Sequence, residues 1–254
     1  MGTIDHVTIR GTDLAAMRAF YERVFELLGF SGERHEGDYG VEWGDFSIAE
    51  ANAERAPTQG LHIAFTADSQ ELVDSWWRDM IDSGYRSDGE PGPRPQYRRD
   101  YYGAFVLDGQ GNSVEAVTHA AAGERMPGLI DHLWIRVPEL EPIRHFYGNI
   151  AQTVDLEPRD LGNRFGLVAE AGSFTFTEGP LTHNLHLAIG VRDQGSVERF
   201  HEAALAAGGR DNGGPRERPQ YHPGYYGAYV LDPAGTNLEA VFHDRTRTST
   251  LGTN

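Results

Sequence analysis

Two histidines and a glutamate occur twice along the chain at almost the same spacing: His6, His62 and Glu115, then His132, His186 and Glu239. Neutral imidazoles and a carboxylate can hold a divalent cation on one face and leave its remaining positions open to water or substrate. A single strand histidine is more often a hydrogen-bonded structural residue than a ligand. Three residues recurring in step across a duplication are harder to assign to structure alone. Duplication preserves core residues as well, however, so the recurrence establishes common descent of the halves before it establishes chemistry.

Each of the six falls within a short alternating segment. In the stretch Ile4 to Arg10, Val7 and Ile9 share one strand face while His6, Thr8 and Arg10 share the other. Leu61, Ile63 and Phe65 likewise oppose His62 and Ala64, and the strand Ser113 to His119 places Ser113, Glu115, Val117 and His119 together. Thr12 or Asp13 caps a helix carrying Leu14, Met17, Phe20, Val24 and Leu27, which Gly29 stops. Ser69 caps a second, with Leu72, Val73, Trp76 and Met80, which Gly84 ends. Tyr39 to Trp43 and Phe46 to Ile48 read as hairpin strands, Asp88 to Pro95 as a Gly/Pro-rich loop, and Tyr102 to Leu107 as a further strand. If the helices cover the aliphatic faces, the imidazoles and carboxylates converge on the opposite side of the sheet.

The order strand, helix, strands thus occurs twice in the first half and then starts again. Ile130-Asp131-His132 repeats Ile4-Asp5-His6, and Phe146-Tyr147 repeats Phe20-Tyr21, both at an offset of 126. Beyond that the offset is 124: Leu185-His186 repeats Leu61-His62, and the stretch from Arg218 to Val241 repeats Arg94 to Val117. The last helix carries Val197, Phe200, Ala204 and Leu205 and ends at Gly208-Gly209. The expected division is a first domain over 1–119, a linker over 120–128, a second domain over 129–244 and a tail over 245–254.

Composition narrows the chemistry. The 254 residues include no cysteine and no lysine, so all 22 basic residues are arginine. That excludes thiolate ligands, cysteine nucleophiles, Schiff-base chemistry and the lysine of a phosphate-binding loop. A formal charge of −16 argues against a nucleic-acid partner. No apolar run of 18 residues and no charged-then-apolar leader is present, which predicts a soluble cytoplasmic protein without a membrane partner. The expected partner is a small molecule, with the chain a monomer or a homo-oligomer.

At the stretches IDHVTIR, FYERVFELLGF, GLHIAF and GNSVEAV, and again at IDHLWIR, NLHLAI and DPAGTNLEAV, the chain resembles the vicinal oxygen chelate superfamily. That superfamily includes glyoxalase I, type I extradiol dioxygenases, fosfomycin resistance proteins and bleomycin-binding proteins. The resemblance implies an α+β fold of tandem domains, with four βαβββ units forming curved mixed sheets around two cavities. It also implies metal ligation by His6, His62, Glu115, His132, His186 and Glu239. Units pair either within a half or by exchange between halves, and the sequence leaves both open. In the first case His132, His186 and Glu239 form one site; in the second His132 joins His62 and Glu115, and His6 joins His186 and Glu239.

The second copy also resembles the extradiol dioxygenase signature, through His222, Tyr229, Asp232-Pro233-Ala234-Gly235 and Glu239 in that order. A histidine beside a metal-bound diphenol can move protons, and a tyrosine hydroxyl can bond a substrate oxygen. The first copy holds Arg98 and Phe105 at the corresponding positions, so this reading places catalysis in the second half. Glyoxalase I usually adds a second glutamate from the strand before the second unit. Here Glu50 and Glu178 fall at the strand ends, which weakens that reading. Arg94, Arg218, Gln96, Gln220 and the pairs Tyr101-Tyr102 and Tyr225-Tyr226 precede the glutamate strands in loops, where they could hold an aromatic or anionic substrate. His119 and His243 are expected beside the ligands, and Arg10 and Arg136 as anion-binding or carboxylate-pairing groups. Three functions follow. The leading one is extradiol-like oxygenase chemistry on Fe(II) or Mn(II), with Zn, Ni or Co as other fits. The others are a glyoxalase-like lyase or isomerase, and a non-catalytic binder of a small aromatic molecule or antibiotic.

Overall fold

The computed structural model describes residues 2–32, 34–37, 40–119 and 128–246. Tyr39, most of the expected linker and all but the first residues of the expected tail lie outside them. Four βαβββ units follow one another. The first comprises β1 (Thr3–Gly11), α1 (Leu14–Leu27), β2 (Arg34–Gly37), β3 (Gly40–Trp43) and β4 (Phe46–Glu50). The second comprises β5 (His62–Thr66), α2 (Gln70–Asp82), β6 (Arg86–Pro93), β7 (Tyr101–Leu107) and β8 (Ser113–His119). In the third are β9 (Ile130–Val137), α3 (Glu141–Ile150), β10 (Glu157–Asp160), β11 (Arg164–Val168) and β12 (Ser173–Glu178). The fourth holds β13 (His186–Gly190), α4 (Gln194–Ala206), β14 (Arg210–Glu217), β15 (Tyr225–Leu231) and β16 (Asn237–His243).

The units exchange between halves. One eight-stranded sheet runs β14-β15-β16-β13-β1-β4-β3-β2 and joins the first unit to the fourth; the other runs β10-β11-β12-β9-β5-β8-β7-β6 and joins the third to the second. The seams are antiparallel, β1 against β13 and β5 against β9, while each unit's first strand pairs in parallel with its last. Of the two arrangements left open by the sequence, the structure has the exchanged one.

The helices do not exchange. Asp13 caps α1 by accepting from the Ala16 N–H, and Ser69 caps α2 through Leu72. Phe25 of α1 meets Phe46 of β4 at 5.7 Å and Phe65 of β5 at 4.9 Å between ring centroids, so the first half's core bridges both sheets. Tyr147 of α3 packs on Phe174 and Phe176 of β12 in its own unit. Burying each such ring stabilises the fold by about 1.5–3 kcal/mol. One apolar cluster runs through both halves, and the hydrogen-bonded seams join them as well.

Two expectations are corrected. Most of the expected loop 88–95 is strand β6, paired with β7 through shifted registers around Gly89 and Gly92. Its glycines and prolines accommodate bulges, with Phe105 close over Gly89 where a side chain would stand. Leu205 of α4 is 39% exposed, beside the face that buries Val197, Phe200 and Ala204.

Candidate metal centres

On the face away from the helices, the sheet registers assemble two groups of donors. His6 lies opposite Ala188, which lies beside Glu239 on the next strand, and His186 sits two residues before Ala188 on the same face. The second sheet repeats this with His132, Ala64, Glu115 and His62. Both alanines are fully buried, and their small side chains leave room above the central strand for the three donors. His6 Nε2 is 3.1 Å from His186 Nε2, and Glu239 Oε2 is 3.8 Å from the first and 3.3 Å from the second. In the other group, Glu115 Oε2 is 3.0 Å from His62 Nε2 and 3.6 Å from His132 Nε2. The structure does not join His132 to His186 and Glu239, because the exchanged seams place them on different sheets.

Each donor is oriented from behind. Asp5 accepts from His6 Nδ1 at 2.8 Å, and Asp131 from His132 Nδ1 at 2.7 Å. His186 Nδ1 meets the Asn237 carbonyl at 3.1 Å, and His62 Nδ1 meets Ser113 at 3.2 Å. The Nε2 atoms are thereby directed at the centre, as metal-bound imidazoles require. Tyr225 and Tyr101 donate their hydroxyls to Glu239 Oε1 and Glu115 Oε1 at 2.7 and 2.6 Å. Glu239 Oε2, fully buried, has no hydrogen-bond partner. A buried carboxylate oxygen without a donor is costly, and a cation between it and two Nε2 lone pairs would satisfy it. The residues present fit a divalent ion.

The electrostatics differ within each group. Burial works against protonation of His6, but the Asp5 hydrogen bond and the charge of Glu239 outweigh it and raise its pKa; His132 is raised by Asp131 and Glu115 against the same burial. Burial dominates at His186 and His62 and holds both below the ordinary imidazole value. Asp5 and Asp131 resist burial through their paired histidines and stay well below the usual carboxylate range.

Behind Asp5 the two centres part. His243 Nε2 meets Asp5 Oδ2 at 2.8 Å, and its Nδ1 lies 2.7 Å from His222 Nε2. The other His222 nitrogen, Nδ1, donates to the Pro223 carbonyl at 2.8 Å. The outer nitrogens of both rings are thus occupied, and the inner contact joins the rings nitrogen to nitrogen. At the second centre His119 Nε2 bonds Asp131 at 3.1 Å, but its Nδ1 has no partner and Arg98 pairs instead with Asp100. His222 thus stands three groups behind the His6 donor.

The residues expected to contact substrate have these surroundings, and Arg94 and Tyr101 line the cavity at the His62 centre. Tyr101 and Tyr225 are buried in β7 and β15, where their hydroxyls fix the glutamates. Tyr226 points the other way and donates to Glu198 of α4, as Tyr102 does to Asp74 of α2. Arg218 is buried and donates to the carbonyls of Gly213, Gly214 and Gly227, pinning the bulges of β14; Arg94 donates to those of Glu90 and Pro93. Gln220 is exposed. Tyr229 does face its centre, with its ring 5.9 Å from His186 and the Arg218 guanidinium 4.3 Å from its centroid. Phe105 occupies the equivalent place 5.7 Å from His62. A cavity of about 950 Å³ opens at the His62 centre. Sequence reasoning missed Asp5 and Asp131, although both stand in the repeated Ile-Asp-His.

Residues 3–116 match the model of the Glyoxalase/Bleomycin resistance protein/Dioxygenase superfamily. The chain carries a domain of this superfamily. Solved structures of similar fold cover nearly all of the chain. Glyoxalase I from Zea mays is 18% identical with a TM-score of 0.66, over 96% of this chain and 93% of that one. A Bacillus subtilis protein proposed to be a dioxygenase is 11% identical with a TM-score of 0.62, over 95% of this chain and 85% of that one. At these identities the likeness is one of fold. No curated protein matches the chain. The second glutamate usual in glyoxalase I has no counterpart here among the described residues. Glu178 accepts from the Leu140 N–H at the start of α3, Glu50 is exposed, and each donor group contains three residues.

Proposed function

We propose that the chain is a divalent-metal-dependent enzyme with a His2Glu centre on each sheet, and that the His6 centre performs extradiol-like oxidation of a small vicinal-oxygen or aromatic substrate. The observation that carries this reading is the buried, unpartnered Glu239 Oε2 between two imidazole nitrogens whose partner nitrogens are already bound. A three-donor facial set without a fourth protein ligand suits Fe(II) or Mn(II) and favours oxygenase over glyoxalase chemistry. The bound ion would supply Lewis acidity and open positions for neighbouring substrate oxygens. Tyr225 holds the carboxylate, Asp5 holds His6, and Tyr229 presents its ring beside His186. His222, linked through His243 to Asp5, is the group that handles protons on that side of the site.

Metal content separates the readings first, then oxygen uptake with catechols against isomerisation of hemithioacetals. Two divalent ions per chain and oxygen uptake are expected. His222→Ala retains its metal and loses roughly a hundredfold in turnover; unchanged turnover removes His222 from the mechanism. A protein that binds no divalent metal, and in which Glu239→Gln leaves ligand binding intact, is a binder and not an enzyme.

A further inference from the structure

The two centres share their donors but not their walls. At the His62 centre three rows cross β9, β12 and β11 on the cavity side: His132, Ser173 and Val168; then Trp134, Thr175 and Gly166; then Arg136, Thr177 and Arg164. The registers place Thr8, Ser47 and Glu42 at the His6 centre where the other has Trp134, Thr175 and Gly166. One step further out, Arg10 and Gly40 stand in place of Arg136 and Arg164. An aromatic ring and a second cation on one sheet thus face a hydroxyl and a carboxylate on the other.

The cations at the His62 centre are available. The Arg164 guanidinium lies 5.2 Å from the Trp134 ring centroid, and its Nε is buried without a hydrogen-bond partner. Arg136 donates through one nitrogen to the Gly60 carbonyl. Among the described residues neither has an acidic partner, whereas Arg98 at the same cavity is matched by Asp100. Tyr97 meets the Trp134 ring edge-on at 5.6 Å, and Phe105 closes the side nearest His62. The carboxylates on this cavity are Glu115 and Asp131, both committed to histidines, and Asp88 on β6. Two arginines that flank Thr177 with no acidic partner among the described residues stand out in a chain with a formal charge of −16.

We propose that the cavity of the His62 centre takes an aromatic anion, with its ring among Trp134, Tyr97 and Phe105 and its charge between Arg136 and Arg164. The proposal rests on the metal-centre reading for the end of the ligand that reaches His62, Glu115 and His132. The cations act by charge-assisted hydrogen bonds and the ring wall by stacking. The wall of the His6 centre has neither this ring nor the second cation, so the two centres differ in the ligand they take.

The test is calorimetry on the full chain with phenylglyoxylate, which carries vicinal oxygens and a carboxylate, and with its neutral methyl ester. The acid is expected to bind at least roughly tenfold more tightly than the ester. Arg164→Gln and Arg136→Gln should each remove about that preference while leaving ester binding and thermal melting unchanged, and Trp134→Thr should weaken both ligands. Equal binding of acid and ester, or an acid preference that survives both arginine substitutions, overturns the proposal. Metal titration is read separately. Two ions per chain without an acid preference defeat this proposal alone. An arginine-dependent preference in a protein that binds no metal upholds the clamp and defeats the metal reading.

Discussion

Gly103 and Gly227 have no side chain, and the carboxylates of Glu115 and Glu239 lie where one would be. A Cβ at Gly227 would come within 2.6 Å of Glu239 Oε1, and one at Gly103 would crowd Glu115 Oε1 more closely still. Backbone and carboxylate therefore share a space that any larger residue fills. Gly227→Ala should displace Glu239 and weaken metal binding at the His6 centre by roughly 10–100-fold. Under limiting metal the content should fall from two ions per chain to one, and Gly103→Ala should empty the other centre; native mass spectrometry counts both. Unchanged loading would mean that the carboxylates move freely. The donors were legible in the sequence because imidazole and carboxylate recur in step. The glycines sat in the same repeat and could not be read, since their need arises across a strand pair. Asp5 and Asp131 were visible beside each first histidine, yet alternation assigns neighbours to opposite faces and hid their contact.

Among the elements, α1 and α3 are fastened to the turns that precede the glutamate strands. The Tyr21 hydroxyl donates to Asp108 Oδ2 and the Tyr147 hydroxyl to Asp232 Oδ2, each at 3.0 Å. The second carboxylate oxygen of each aspartate accepts two backbone N–H groups from its own turn. Burial raises the pKa of both tyrosines, and the neighbouring carboxylate adds to it, so the hydroxyls stay donors at any physiological pH. Tyr147→Phe leaves Asp232 Oδ2 buried without a donor and should cost about 1–3 kcal/mol in urea unfolding. A smaller loss would mean that water replaces the hydroxyl. Periodicity gave the helices and inner strands, whose apolar residues alternate cleanly. It missed β2, which is exposed throughout, and misread β6, whose glycines and prolines resemble a loop.

Over the whole molecule, the exchange of units decides how the donors group. Two arrangements use the same six residues with equal alternation, so no local pattern distinguishes them. The choice resides in the seams β1–β13 and β5–β9. Residues 1–119 and 128–254 expressed together as separate chains should co-purify as a one-to-one complex with two bound metal ions. Fragments that each stay monomeric and each bind metal would contradict the exchange. No helix among the described residues is long and apolar enough to cross a membrane.

The seams also bear on how such a protein diverges. Each centre inherits its first histidine from one half and its other two donors from the other, so neither half can be lost without destroying both sites. Yet the walls are separate sets of codons. Trp134, Arg136 and Arg164 can change without touching Thr8, Glu42 or Tyr229. A fused duplication of this kind can keep one chemistry fixed while the second site drifts toward another ligand, as long as both halves are retained.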